Sequence, residues 1–301
     1  MTESSTSVQG SEQLPDLDAE AGDQITRFDR RPAWIRGSLK RFTGAVVAFF
    51  IIATIWHFAL VWSGTESYIF PKPMDVLEAG FENRSLLIQS AWRTAQAATT
   101  GLVVAVIGGV LAAIVLHSSR LIERSLLPYA VLLQTTPIVA IAPVIVIWMG
   151  PGINSIAIIA FIISFFPMLS NTLVGLHSVD PERRNAFRLY HASRLQRLRK
   201  LEFPTALPFI LAGARISAGL SVIGAIVGEF VAGIGGGRGG LGYVITVSAR
   251  QLETGYLFAG AFVGSLMGIA FYAAIGLATR LLLGNWHESQ VPEATGPRTG
   301  G

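Results

Sequence analysis

The chain has 301 residues, 51% hydrophobic and 14% charged, with a formal net charge of +4 and no cysteine. A soluble domain carries about 25% charged residues, so this deficit, with a mean hydropathy of +0.53, argues against an ordinary soluble fold and for an integral membrane protein. Disulfides and thiolate metal sites are excluded, and cations that border apolar runs without a soluble carrier domain argue against nucleic acid as a partner.

Residues 1–33 read as a disordered cytosolic tail. They contain Glu3, Glu12, Asp16, Asp18, Glu20 and Asp23 before the first cation, Arg27. Low hydrophobicity with net acidic charge disfavours a packed core. A secretory signal would begin basic and turn apolar within a few residues, whereas here the first apolar run begins near Gly44.

A helix rises about 1.5 Å per residue, so a hydrocarbon core of about 30 Å needs roughly 20 apolar residues. Within a transmembrane domain spanning 34–288, windows poor in charge place six spans: about 43–64, 93–117, 126–149, 153–176, 207–231 and 256–282. Continuous apolar runs rather than ten-residue alternation select helices over a barrel, giving an all-α membrane protein. A polar tail at 289–301 completes the chain.

The first span contains His57, a lone histidine without a second ligand, which reads as a packed side chain; no metal site is predicted. The third and fourth spans are interrupted by Pro137, Pro143 and Pro167. Proline frees carbonyls that need partners in lipid, and Thr135 and Thr136 stand close enough to serve. Bends of this kind suit a gated pathway, with Thr136, Pro137, Trp148 and Phe166 as candidates to line it. "GPGIN" at 150–154 separates the two spans, because Gly-Pro-Gly breaks helix and strand alike.

Between the fourth and fifth spans lies a polar island, 180–204, with seven cations: Arg183, Arg184, Arg188, Arg194, Arg197, Arg199 and Lys200. If the N-terminus is cytosolic, the inside also holds Arg27, Arg30, Arg31, Arg36, Lys40, Arg41, Arg120, Arg124, Arg280 and Arg298. The outside then holds Lys72, Arg84, Arg93, Arg238 and Arg250. The excess of inner cations sets both termini and the island in the cytosol.

The island reads as two short helices with a corner. Asp180 is a cap, Pro181 suits the first helical position, and Ser193 with Gln196 fits a capping box. Leu195, Leu198 and Leu201 recur every three residues as an apolar stripe, and Pro204 and Pro208 are expected to end the second helix. A basic loop that only sets topology needs none of this, so the pattern points to a surface pressed against a partner protein.

The fifth span carries Arg215 and Glu229, about 21 Å apart along one helix, too far to pair. Ionisable groups in a span are functional candidates. Glu229 lines the path, holds the following loop or is hydrated; Arg215 is near enough to the cytosolic end to snorkel. "GIGGGRGGLGY" at 233–243 contains a literal G-x-G-x-x-G, but a dinucleotide site needs a preceding strand in a soluble βαβ unit. It reads as a flexible external turn. No G-K-[ST] occurs, so any ATPase is a separate polypeptide.

The island "RNAFRLYHASRLQRLRKLEFPTALP" (184–208) resembles the EAA loop of ATP-binding-cassette importer permeases. Ala186, Leu201 and Pro204 match that motif. Asn185 stands where the family has an acid, and His191 where it has the glycine of a corner with positive φ. "PIVAIAPVIVIWMGPG" (137–152) and "LPFILAGARISAGLSVIGAIVGEF" (207–230) resemble the third and fifth spans of the nitrate, sulfonate and taurine branch. "LYHASRLQ" and "WHES" (286–289) look most like permeases for riboflavin or for pyrimidine precursors of thiamine.

The resemblance implies a type I ABC importer permease fold in a bacterial inner membrane, working as a dimer with a second copy. It implies cytosolic coupling helices seated on ATP-binding-cassette ATPase subunits, an external substrate-binding protein, and ATP used by the ATPase rather than held by this chain. On that basis the coupling residues are Asn185, Ala186, Phe187, His191, Ala192, Ser193, Leu195, Leu201 and Pro204. Thr136, Pro137, Trp148, Phe166 and Glu229 belong to the path, and no residue is catalytic. An apolar path fits a neutral aromatic solute; nitrate, sulfonate or taurine is the alternative cargo. A secondary transporter would show inverted repeats, none of which is clear, and would leave the island unexplained. An intramembrane enzyme needs converging groups that Arg215, Glu229 and His57 do not supply.

Overall fold

The computed structural model describes residues 33–232 and 239–283. The tails 1–32 and 284–301, with "WHES", and residues 233–238 of the glycine run lie outside the described residues. The chain divides after Trp62 into two compact units. The first contributes one long helix, α1 (Ala33–Ser63).

Among its described residues the second unit has helices joined by short turns and no strand. Its elements are α2 (Pro73–Glu82), α3 (Arg84–Ser118), α4 (Arg120–Thr135), α5 (Ile138–Met149), α6 (Ile153–His177), α7 (Pro181–Leu189), α8 (Arg194–Arg197), a π-helical turn (Leu198–Glu202), α9 (Phe203–Ala232), α10 (Leu241–Gln251) and α11 (Thr254–Leu283). Among the described residues, α1, α3, α6, α9 and α11 are long and apolar enough to cross a membrane, and α4 with α5 makes a sixth, bent crossing.

α6 is the central post, packed on α9 and α3. Lipid is as apolar as leucine, so helices associate there through close backbone approach over small residues. A Cβ on Gly101 of α3 would lie 2.7 Å from the Ala157 carbonyl oxygen, and one on Gly224 of α9 would lie 2.7 Å from Ala160 Cα. Larger side chains fill the inner half: Met168, Leu169, Leu173 and Leu176 of α6 meet Ala113 and Leu116 of α3 and Ala206 and Ile210 of α9. Ser164 and Ser217 tie α6 to α9 by exchanging hydrogen bonds between each hydroxyl and the other's carbonyl, at 3.1 and 2.7 Å.

The prolines do not act alike. Only Pro137 breaks a span: α4 and α5 meet at 93°. Thr136 before it is extended (φ −70°, ψ 128°), as the ring of a following proline favours. Its hydroxyl donates to the Leu132 carbonyl at 2.7 Å, as does that of Thr135 at 3.1 Å. Pro143 and Pro167 sit inside the continuous helices α5 and α6. Pro204 and Pro208 do not end the island's second helix either: α8, the π turn and α9 run on as one rod from Arg194 to Ala232. Proline 204 lacks an N–H and its ring crowds the preceding turn. The helix widens to i→i+5 pairing just ahead of it, with Phe203 N–H donating to the Leu198 carbonyl.

Two short helices were not legible in the sequence, α2 and α10. α2 starts at Pro73, with the Lys72 N–H donating to Asp75 Oδ2 at 3.1 Å. Leu87, Leu241, Val244, Tyr256 and Ala259 form the apolar cluster that joins α3, α10 and α11, with Val76 and Ala79 of α2 against it.

Candidate functional site

The island is a capped helix–corner–helix. Asp180 Oδ1 accepts from the Glu182 N–H at 2.8 Å and opens α7. α7 closes with the Ala192 N–H on the Phe187 carbonyl and the His191 N–H on the Arg188 carbonyl, both 3.0 Å. That pair of bonds requires a left-handed residue at the corner, and His191 has φ +54°. The usual glycine is missing, so the corner carries a strain of roughly 1–2 kcal/mol. α8 opens with a full capping box: Gln196 N–H donates to Ser193 Oγ (3.2 Å) and Ser193 N–H to Gln196 Oε1 (2.8 Å).

Asn185, His191 and Ser193 are exposed, while Ala186, Phe187, Ala192 and Pro204 are half-buried. The expected leucine stripe splits. Leu195 is 65% exposed and Leu201 8% exposed, and Leu198 packs against the inner core. The π turn between them rotates the faces, so three-residue spacing no longer keeps one side. Leu189 and Tyr190, 80% and 86% exposed, join Leu195 among the outward-facing apolar side chains of the island.

Charged contacts fasten the island to the helix ends. Glu202, 2% exposed, accepts from Arg197 Nε at 2.8 Å and lies 3.3 Å from His117 Nε2 of α3. Glu123 of α4 lies 3.4 Å from His177 Nε2 of α6, and the two imidazoles meet edge to face, with ring centroids 4.8 Å apart. Spacing gave no sign of the His117–Glu202 and Glu123–His177 pairs, since their members lie far apart in the chain.

At the other end of α9, Glu229 is 2% exposed. The Thr94 hydroxyl of α3 lies 2.8 and 3.0 Å from its two carboxyl oxygens. The Gly242 N–H donates to Glu229 Oε2 at 2.7 Å, and the Leu241 N–H to Thr94 Oγ1 at 2.8 Å. Glu229 thus holds the chain where α10 begins. A Cβ at Gly240 would overlap the Glu229 carboxyl and Thr94, and one at Gly242 would overlap the Ile226 carbonyl. Those two glycines serve close approach and open a helix, which corrects the flexible-turn reading for residues 239–243.

Glu229 also borders a cavity of about 250 Å³ lined by Arg93, Ala97, Gly152, Ile153, Ile156 and Gly240, among others. Thr136, Pro137, Trp148 and Phe166 are not among its lining residues. Thr136 and Pro137 form the α4–α5 bend, Trp148 is 80% exposed near the end of α5, and Phe166 is half-buried in α6. Arg215 does not reach Glu229; its guanidinium carbon sits 4.0 Å from the centroid of the Tyr272 ring on α11.

A model of the binding-protein-dependent transport system inner membrane component family matches residues 105–286. The riboflavin transport system permease protein RibX of Chloroflexus aurantiacus is 34% identical over 258 residues, covering 84% of this chain and 94% of its own. The formylaminopyrimidine transport permease protein ThiX of Halalkalibacterium halodurans is 31% identical, covering 80% and 95%. The taurine transport system permease protein TauC of Escherichia coli is 28% identical, covering 86% and 94%. A crystal structure of an amino acid ABC transporter shares the fold at a TM-score of 0.54 and 18% identity, covering 67% of this chain and 96% of that one.

Proposed function

The chain belongs to the binding-protein-dependent transport system inner membrane components, the permeases of ATP-binding-cassette importers, and from that premise we propose that its cargo is riboflavin or a pyrimidine precursor of thiamine. It is a multi-pass inner-membrane protein for import of a small solute. One observation carries the cargo: the riboflavin and formylaminopyrimidine permeases are 34% and 31% identical across most of the chain, against 28% for the taurine permease.

In this reading the chain forms the path as a dimer and receives solute from an external binding protein. Its island, facing the cytosol, docks on a separate ATPase, which hydrolyses the ATP. Leu189, Tyr190 and Leu195 are the support for docking, because exposed apolar side chains grouped on a polar element mark an interaction surface. Asn185, Ala186, Phe187, His191, Ala192 and Ser193 belong to that surface, while Leu201 and Pro204 join it to the rod. ATP and loaded binding protein then bias one two-state gate.

Uptake of labelled riboflavin, formylaminopyrimidine and taurine in cells lacking this chain, with and without a plasmid copy, tests the assignment. Restored uptake of either of the first two supports it; restored taurine uptake alone overturns it. Uptake that persists after removal of every partner ATPase would mark a secondary transporter.

A further inference from the structure

Where the island meets α3, α4 and α6 there is a cavity of about 630 Å³ lined by His117, Arg120, Glu123, Arg124, His177, Arg184, Arg188, Arg197 and Glu202. Five guanidiniums face two carboxylates. Both carboxylates are engaged, Glu202 by Arg197 and His117 and Glu123 by His177. Among the described residues, no carboxylate lies within 4.0 Å of Arg120, Arg124, Arg184 or Arg188. Arg184 holds Nε and Nη2 shielded from water without a hydrogen-bond partner. Those two N–H groups share one edge of the guanidinium, the edge that grips two oxygens at once. Buried donors are rarely left unmet.

We propose that this cavity binds a phosphoryl group, at the level where the spans leave the inner leaflet. Arg184 supplies the two-pronged grip and Arg120, Arg124 and Arg188 supply charge. A carboxylate would satisfy one edge of Arg184 and leave the other three cations unbalanced, whereas a phosphoryl group offers further oxygens and more charge. Beside the cavity, Leu121 and Leu126 of α4 are 75% and 47% exposed, which gives acyl chains an apolar surface next to the headgroup. Anionic headgroups and free phosphate present the same oxygens, and the experiment separates them.

The test uses the full chain purified with its partner subunits in detergent. One arm measures by native mass spectrometry the retained phosphatidylglycerol relative to phosphatidylcholine; the other measures equilibrium binding of inorganic phosphate. Preference in either arm supports the site, and the arm identifies the source. Each lost charge near a membrane surface weakens binding about fivefold, so R184Q should cut the preference about fivefold and R120Q/R124Q, on exposed α4 positions, about 25-fold. R183Q, on the exposed side of α7 outside the cavity, should leave it unchanged. No preference in the native complex overturns the proposal, as does an R183Q effect equal to that of R184Q. Loss of both ligands on assembly with the ATPase, from an acidic side chain filling the cavity, also overturns it. If R184Q does not assemble, R120Q/R124Q decides.

Discussion

Thr94→Val tests whether the buried contacts at Glu229 hold α10 in place. The change keeps side-chain shape and removes one hydroxyl. That hydroxyl accepts from the Leu241 N–H at 2.8 Å and lies 2.8 Å from Glu229 Oε1, all of it buried. A buried donor or acceptor left without a partner costs about 1–3 kcal/mol, and here one N–H and one carboxyl oxygen are stranded, for a combined figure of about 3 kcal/mol. The cost falls on local opening of α10, and at 1.4 kcal/mol per decade it raises the open fraction about a hundredfold. The native chain has no cysteine, so a single reporter is clean. Ser248 of α10 is 1% exposed, and Ser248→Cys is a small change. Maleimide labelling of that cysteine should accelerate about a hundredfold when Thr94→Val is added, up to the rate of an exposed thiol. An unchanged rate would mean that α10 is held by its apolar contacts alone and that the Glu229–Thr94 lock does not anchor it.

Leu195→Asp alters a side chain that is 65% exposed, so membrane insertion and thermal stability should be retained; in the proposed coupling role, uptake should fall at least tenfold while ATPase turnover persists. His191→Gly relieves the φ +54° corner and should leave the unfolding free energy in detergent unchanged or raised by up to about 1 kcal/mol, whereas His191→Val should lower it by more than that. Gly224→Val puts a branched side chain 2.7 Å from the Ala160 backbone, and because backbone cannot yield as a side chain does, it should destabilise the protein by about 3 kcal/mol or prevent assembly. A double-mutant cycle of Arg215→Ala with Tyr272→Ala should return a coupling of about 0.5–2 kcal/mol, and a value near zero would show that the stacked geometry is not energetic.

The spans were legible because hydrocarbon demands long apolar runs, and the caps at Asp180 and Ser193 because capping is local. What remained hidden depends on contacts between distant parts of the chain. Pro137, Pro143 and Pro167 look alike in the sequence, yet only Thr136–Pro137 breaks, where α4 also leaves the packed centre. Pro204 read as a stop, but a wider turn placed before it lets the rod continue. In the glycine run, freedom and close approach leave the same letters: Gly240 and Gly242 look like flexibility in the sequence, and their reason is the Glu229 carboxyl and Ile226 carbonyl against their α carbons. Glu202 gave no signal, since the partner that marks it as buried, His117, comes from α3; Arg197, on the same rod, reads as an ordinary local pair. Glu229 stood out, because an acid in a span is costly unless satisfied, though Thr94 as its partner was not deducible.

Among the described residues, the two buried carboxylates, Glu202 and Glu229, sit on the same continuous rod, Arg194 to Ala232, and both are held by α3. Glu202 meets His117 near the inner end and Glu229 meets Thr94 near the outer end. His117 and Thr94 are 23 residues apart along α3, or about 35 Å, close to the thickness of the hydrocarbon core. Between these polar contacts the helices are joined through α6 by Gly101 and Gly224, both pressed on the backbone around Ala160. Sliding the rod against α3 breaks both carboxylate contacts and lifts two glycines out of van der Waals register. Moving α3, α6 and α9 together breaks none of them. Such a body has few intermediate arrangements, which is what a lever needs, because packed elements with discrete arrangements carry coupling over distance. In the proposed transport cycle, the change of shape that a gate requires falls on elements outside the trio: the α4–α5 bend at Thr136–Pro137, and α10, which is attached by the lock at Glu229 and by the apolar contacts of Leu241 and Val244.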